Sequence, residues 1–523
     1  MRAAGLFPSF HAAFVLLIPA LAESGVRVDP ATQSFVDSAG RSVLFHGINV
    51  VGKNSRKEQE LSDKQMDVMK DLGFNVARVG LSWDLYETKP GNFDETYLDF
   101  VEAQVNALGS RGILSFLDMH QDLLAAQYCG HGLPEWHMWP SDSEDFHRDG
   151  RWAFPKPVAE PKYGPDDPYS GAFGRISNCD EAQSGKIGWA GIYMTRALSN
   201  AAQNLYNNAS GRLDAFADFW RKVARRFRGN QYVLAYELIN EPWLGDVYAD
   251  PTLLVPSRAD KVLLAPFYEK LHAAIRAVDN ETIIFFEPAT GGNIFDTTHY
   301  GADTTPGGAG YRHKTALSYH IYCPWVQTDM PGTSSSALKE KVCEKFNGWQ
   351  FGIRAADVKR LKVAAILSEF GAVNASDPLM QKLLDFSMDS MDSNLHSWTY
   401  WYMHPREDGK NPEAPVLART FARRVAGAIK SMHFDMASGN FSLEYAADPS
   451  ISAHTEIFAS LQHHYPHGLD YSLEPPSAGK VRQAGSLLWI EHSADLQKQT
   501  EVTFRLWQKA PESVHWEPML LSV

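Results

Sequence analysis

The chain has 523 residues, more than one hydrophobic core usually serves, so a large domain of about 400 residues with a smaller companion is expected. With 44% hydrophobic and 12% aromatic residues it can fill such cores, which argues against a disordered chain. Its 62 acidic against 49 basic residues give a formal net charge of −13. That argues against a nucleic-acid partner, which needs a basic surface.

At the N-terminus, Arg2 precedes an apolar run, Ala12 to Ile18, and then Pro19-Ala20-Leu21-Ala22. A basic start, a short apolar stretch and an A-x-A-like site predict a signal peptide over residues 1–22. The run is far shorter than the ~20 residues of a membrane span, and no later segment is long and apolar enough, so no transmembrane segment is expected. The expected destination is outside the cell, or the lumen of a lysosomal or digestive compartment. Four glycosylation sequons, at Asn208, Asn280, Asn374 and Asn440, agree with that route. The cysteines are Cys129, Cys179, Cys323 and Cys343. An even count in an oxidising compartment favours two disulfides; of the three connectivities, the local pairs Cys129–Cys179 and Cys323–Cys343 would pin loops.

Eight β-branched and aromatic runs follow in order: Ser42–Val50, Asn75–Trp83, Gly112–His120, Tyr232–Asn240, Thr282–Glu287, Thr315–Tyr322, Val363–Glu369 and His396–Tyr402. Between them lie helical patterns at Asp63–Leu72, Tyr97–Arg111, Leu213–Phe227, Phe267–Val278, Ala355–Leu361 and Pro378–Met391. Eight apolar strands alternating with helices predict an α/β fold, the (β/α)8 TIM barrel, over residues 23–430. Between the third and fourth strands, residues 123–211 form a long insertion. It carries Trp136, Trp139, Trp152, Phe154, Tyr169, Phe173 and Trp189, which read equally as a functional loop or as a satellite mini-core. Beyond Ser431 the alternation stops. Short runs at Phe441–Ala446, Ser486–His492 and Glu501–Gln508 predict a small antiparallel β-sandwich over residues 431–523.

The polar residues fall where a barrel does its chemistry. Arg78, His120, Glu241, His320, Tyr322, Glu369 and Trp401 all sit at or near the C-terminal end of a predicted strand, the face on which the loops converge. Glu241 follows Ile239-Asn240 and precedes Pro242-Trp243 at the top of the fourth strand; Glu369 stands in Leu367-Ser368-Glu369-Phe370-Gly371 at the top of the seventh. A lone glutamate at a strand end is most often an ion pair or a cap. Two that face each other across a sugar-sized gap are the machinery of glycoside hydrolysis.

With these motifs, residues from about 41 to 405 resemble glycoside hydrolase family 5, and within it the endoglycoceramidases. The resemblance implies that Glu241 is the acid/base and Glu369 the nucleophile of a retaining double displacement. It implies support from Arg78 in Ala77-Arg78-Val79, and from His320 and Tyr322 in His320-Ile321-Tyr322. Sugar binding is implied for Asn240 and for His120 and Asp122 in Met119-His120-Gln121-Asp122. Lys53, in Gly47-Ile48-Asn49-Val50-Val51-Gly52-Lys53, is implied in the same role. Trp401 matches the aromatic floor under the reacting sugar, with Trp398 as its near alternative. The implied substrate is a glycosphingolipid, presented in micelles or at a membrane surface and cut between glycan and ceramide, with neither metal nor organic cofactor. The alternatives are a β-glucosidase acting on glucosylceramide or sterylglucoside, a cellulase-like endoglucanase, and a non-catalytic glycolipid-binding barrel.

Overall fold

The computed structural model describes residues 25–138, 176, 178–184, 191–290, 298–328 and 333–510. The predicted signal peptide lies outside the described residues, as do Trp139, Trp152, Phe154, Tyr169, Phe173 and Trp189 of the insertion.

Eight parallel strands close into a barrel: His46–Val50, Val76–Leu81, Leu114–Met119, Val233–Glu237, Ile283–Phe286, Thr315–Ile321, Ala364–Phe370 and Ser397–Tyr400. They follow the eight expected runs in the expected order, and only the seventh reaches beyond its run, by one residue, to Phe370. Every residue in all eight is buried, because inward side chains fill the barrel while outward ones meet helices. The outer helices include Asp63–Asp71, Glu95–Gly109, Arg212–Phe227, Ala265–Arg276, Ala337–Leu361 and Pro378–Asn394. Their starts are written in the sequence. Ser62 and Gln65 close a reciprocal capping box, and Asp377 caps a helix whose first residue is Pro378. One differs from expectation: the helix ending at Leu361 begins at Ala337, not Ala355, and runs for 25 residues.

The N-terminal end of the barrel is plugged. Val28 and Phe35 pack with Phe45, Phe116, Phe285 and Ile366. These two residues belong to short strands, Arg27–Asp29 and Ser34–Val36, which join Ser42–Val43 in a seven-stranded sheet with four C-terminal strands. Those are Phe421–Val425, Thr455–Phe458, Leu487–His492 and Gly479–Ala484. A second sheet of Gly427–Asp435, Asn440–Ala447, Thr500–Gln508 and Leu469–Glu474 completes the sandwich, with Phe434, Tyr445, Ile457, Leu488 and Phe504 in its core. Two boundaries therefore move. The expected first strand loses Ser42 and Val43 to the sandwich, whose own strands start at Phe421 rather than after residue 430. Backbone pairing of Val43 with Arg424 draws the N-terminal segment to the C-terminal domain.

Arg419 rivets the two units. Fully buried, it donates to Asp392 (2.7 Å), Asp385 (2.6 Å) and Asp389 on the last barrel helix, and to the Phe434 carbonyl (2.9 Å) on the sandwich. The disulfides are Cys129–Cys179 and Cys323–Cys343, the expected local pairing. Among the described residues, no helix is long and apolar enough to cross a membrane.

Candidate active site

The upper half of the barrel is polar inside, and Arg78 is its hub. No part of its side chain is exposed. Its guanidinium donates to Glu237 (2.5 Å), Asn240 (2.8 Å), Asn49 (3.2 Å) and Glu369, and lies 3.2 Å from Asp118 and 3.4 Å from Glu287. One cation cannot balance four buried carboxylates, so burial wins at several of them. It pushes Asp118 up to about 6 and raises Glu237 and Glu287, against the pull of Arg78.

Glu369 is the penultimate residue of the seventh strand. Its carboxylate accepts from Arg78 and from the Tyr322 hydroxyl at 2.8 Å. Burial pushes it up to about 7; His320, Arg78 and the Tyr322 hydroxyl pull it back, while the Glu241 charge pushes it further. The alignment with His320 comes from a bulge: Tyr319 pairs with Leu367, but His320 pairs with Glu369, leaving Ser368 as the extra residue. Such bulges re-aim side chains beside active sites.

Glu241 lies just beyond the fourth strand, at a positive φ of 43°. A non-glycine residue there costs about 1–3 kcal/mol and persists only where its surroundings fix it. Here Glu287 accepts its backbone N–H at 3.2 Å, and Gln121 donates to its carbonyl at 3.1 Å and to that of Asn240 at 2.7 Å. His320 Nδ1 is 2.8 Å from the Glu241 carboxylate and 3.6 Å from that of Glu369. One oxygen of each glutamate and the bridging ring nitrogen all lie within 4.8 Å of one another.

Beside the pair stands a second cluster. The Asp122 carboxylate accepts from Lys53 Nζ (2.5 Å) and His131 Nε2 (2.9 Å). Although burial opposes it, the Lys53 charge and His131 hold Asp122 well below the usual carboxylate range. Asp118 bonds His120 Nδ1 at 2.6 Å and so links this cluster to Arg78. The His120 ring stacks on Trp401, 5.4 Å between centroids, and Lys53 Nζ lies 4.9 Å from the Trp401 ring. Trp398, the alternative aromatic, is fully buried and stacked on His46, so Trp401 is the tryptophan at the site. A cleft of about 420 Å³ opens here, lined by Lys53, Asn54, Glu58, Trp401, Tyr402 and His404.

All ten residues singled out in the sequence thus meet at one barrel mouth. Among those missed are Glu237, Glu287, Asp118 and Gln121. Their signal was a charged or amide side chain inside a wholly buried strand or at its end. Two triads, His120–Asp122–His131 and Glu241–His320–Glu369, have the spacing of metal ligands. In the first, the Lys53 ammonium already supplies the positive charge at Asp122.

The cellulase family model (glycosyl hydrolase family 5) matches residues 36–407, and the glycoside hydrolase family 5 C-terminal domain matches residues 419–508. The chain belongs to glycoside hydrolase family 5. It is a retaining glycosidase, as that family is. Among its relatives, an endoglycoceramidase of Cyanea nozakii is 33% identical over 92% of this chain and 94% of that one. An endoglycoceramidase of Hydra vulgaris is 32% identical over 92% of this chain and 89% of that one. The fold is also that of endo-glycoceramidase II from Rhodococcus sp., solved as a ganglioside GM3 complex. That structure is 22% identical, with a TM-score of 0.69, over 91% of this chain and 99% of that one.

Proposed function

We propose that this family 5 glycosidase is an endoglycoceramidase: it cuts glycosphingolipids between the oligosaccharide and ceramide, with retention. The observation that carries the chemistry is the closeness of the glutamate pair: one oxygen of each lies within 4.8 Å, and His320 Nδ1 reaches both carboxylates, at 2.8 and 3.6 Å. Retaining pairs stand about 5–5.5 Å apart and inverting pairs about 6.5–9.5 Å, wide enough for a water between. The two full-length endoglycoceramidase relatives support the substrate class.

In this reading Glu369, held by Arg78 and Tyr322, attacks the anomeric carbon of the innermost sugar. Glu241, oriented by His320, gives its proton to the leaving ceramide oxygen, and the glycosidic bond breaks. The resulting ester removes the Glu369 charge. Glu241 then takes a proton from water, which attacks the same carbon and frees the glycan in its original configuration. Asn240, Lys53, His120 and Asp122 hold the sugar over Trp401. The two disulfides and the sequons support a chain that enters the secretory pathway.

Incubation with a mixed ganglioside pool, read by mass spectrometry, tests the assignment. Intact oligosaccharides together with free ceramide are expected. Release of single terminal sugars alone would overturn the endo reading, and residual turnover by Glu369→Gln at the wild-type rate would overturn the mechanism.

A further inference from the structure

The long helix Ala337–Leu361 is apolar on two sides. Its inner side buries Cys343, Phe351, Ile353, Val358 and Leu361. Its outer side, at spacings of four and seven, carries Leu338 (74% exposed), Val342 (41%) and Trp349 (56%). At 100° per residue these three fall within about 40° of one another, a stripe about 17 Å long. Lys341 and Lys345, both exposed, flank it. On the other flank Phe346 makes edge contacts with Trp349 and with Trp325, itself 44% exposed. A soluble surface seldom gathers two tryptophans and two aliphatics in one place without a partner.

The position of this stripe is fixed by the site. Cys343 is bonded to Cys323, the residue after Tyr322, whose hydroxyl holds Glu369. Trp325 is three residues past Tyr322 on the same loop. In a (β/α)8 barrel the helix after a strand starts at the catalytic face, so the exposed half of this one stands at the rim of the mouth.

We infer that this rim is a docking surface for a lipid bilayer carrying anionic headgroups. The inference deepens the functional reading given above, and takes from it a substrate whose ceramide is embedded in lipid. Tryptophans settle at the apolar–polar boundary of a bilayer, and leucine and valine beside them enter the acyl region. Lysines at the flank reach phosphate and carboxylate headgroups with their stems lying on the apolar stripe. On a chain of net charge −13, Lys339, Lys341 and Lys345 outnumber the buried Glu340 and the neighbouring Glu344, and this local excess of one positive charge turns one patch of the surface toward an anionic partner. Docking there brings the glutamate pair to the headgroup level, where the bond between glycan and ceramide lies.

The test uses vesicles without any glycosphingolipid: phosphatidylcholine with phosphatidylserine, and phosphatidylcholine alone. Wild-type chain is compared with Leu338→Ser/Val342→Ser/Trp349→Ser and with Lys341→Glu/Lys345→Glu. Sedimentation with the mixed vesicles is expected for wild type and reduced about tenfold or more in both variants, with weaker binding to phosphatidylcholine alone. On ganglioside in the mixed vesicles the variants should lose kcat/KM by a similar factor, while a soluble aryl β-lactoside is turned over at the wild-type rate. Equal vesicle binding by wild type and the triple-serine variant overturns the inference. So does a wild type that ignores vesicles but self-associates through the stripe, with the triple-serine variant monomeric. Failure of wild type to cleave ganglioside in detergent solution refutes the functional reading instead, and leaves the vesicle result standing.

Discussion

Tyr322→Phe removes one hydroxyl and keeps the ring, so it isolates a single contact to the proposed nucleophile. That hydroxyl donates to Glu369 at 2.8 Å and opposes the burial that pushes the carboxyl up to about 7. A hydrogen bond to a charged group contributes about 1.5–3 kcal/mol, and 1.36 kcal/mol is one pKa unit, so the Glu369 carboxyl should rise by about 1–2 units. The sign follows from the mechanism: Glu369 attacks as the anion, so activity falls as pH drops through its pKa. The assay is kcat/KM against pH on a soluble aryl β-lactoside, whose acid limb reports the free enzyme. The limb should start near 7 in wild type and move to higher pH in the variant, with an unchanged melting midpoint. A profile that merely scales down without moving, or that moves to lower pH, would refute the reasoning.

Other expectations follow from the same contacts. Lys53→Met leaves only the histidines, chiefly His131, to oppose burial at Asp122, so its charge is less favoured; the KM of the aryl lactoside should rise about tenfold or more, measured by initial rates. Arg419→Met strands the buried carboxylate of Asp392 and the partly buried one of Asp385 and should cost about 3–5 kcal/mol in urea unfolding. Asp392, already pushed up to about 6 by burial, should then bind its proton more readily, so the loss should be smaller at pH 5 than at pH 8. Replacing both Cys323 and Cys343 by Ser opens a loop of 20 residues and should cost about 3 kcal/mol, read by calorimetry.

The barrel was legible because its strands are buried on both faces and therefore read as unbroken apolar runs. The glutamate pair was legible because each stands at the top of such a run. What stayed hidden has physical reasons. Strands of two or three residues, such as Ser42–Val43, are too short to show a period, so their membership of the sandwich appears only in the pairing with Arg424. The helix from Ala337 is apolar on both sides and has no single amphipathic stripe to announce its start. Glu237 and Glu287 are single charges inside apolar segments, and nothing in the sequence says that one arginine 159 residues away from Glu237 gathers them.

The central claim is that Glu369 forms the covalent bond. A 2-deoxy-2-fluoro-β-lactosyl fluoride makes a glycosyl-enzyme that turns over slowly, and mass spectrometry of the digested protein locates it. A mass increase of one fluorolactosyl group on the peptide containing Glu369, absent in Glu369→Gln, is the predicted result. A label on another residue, or no label together with a product of inverted configuration, would contradict it.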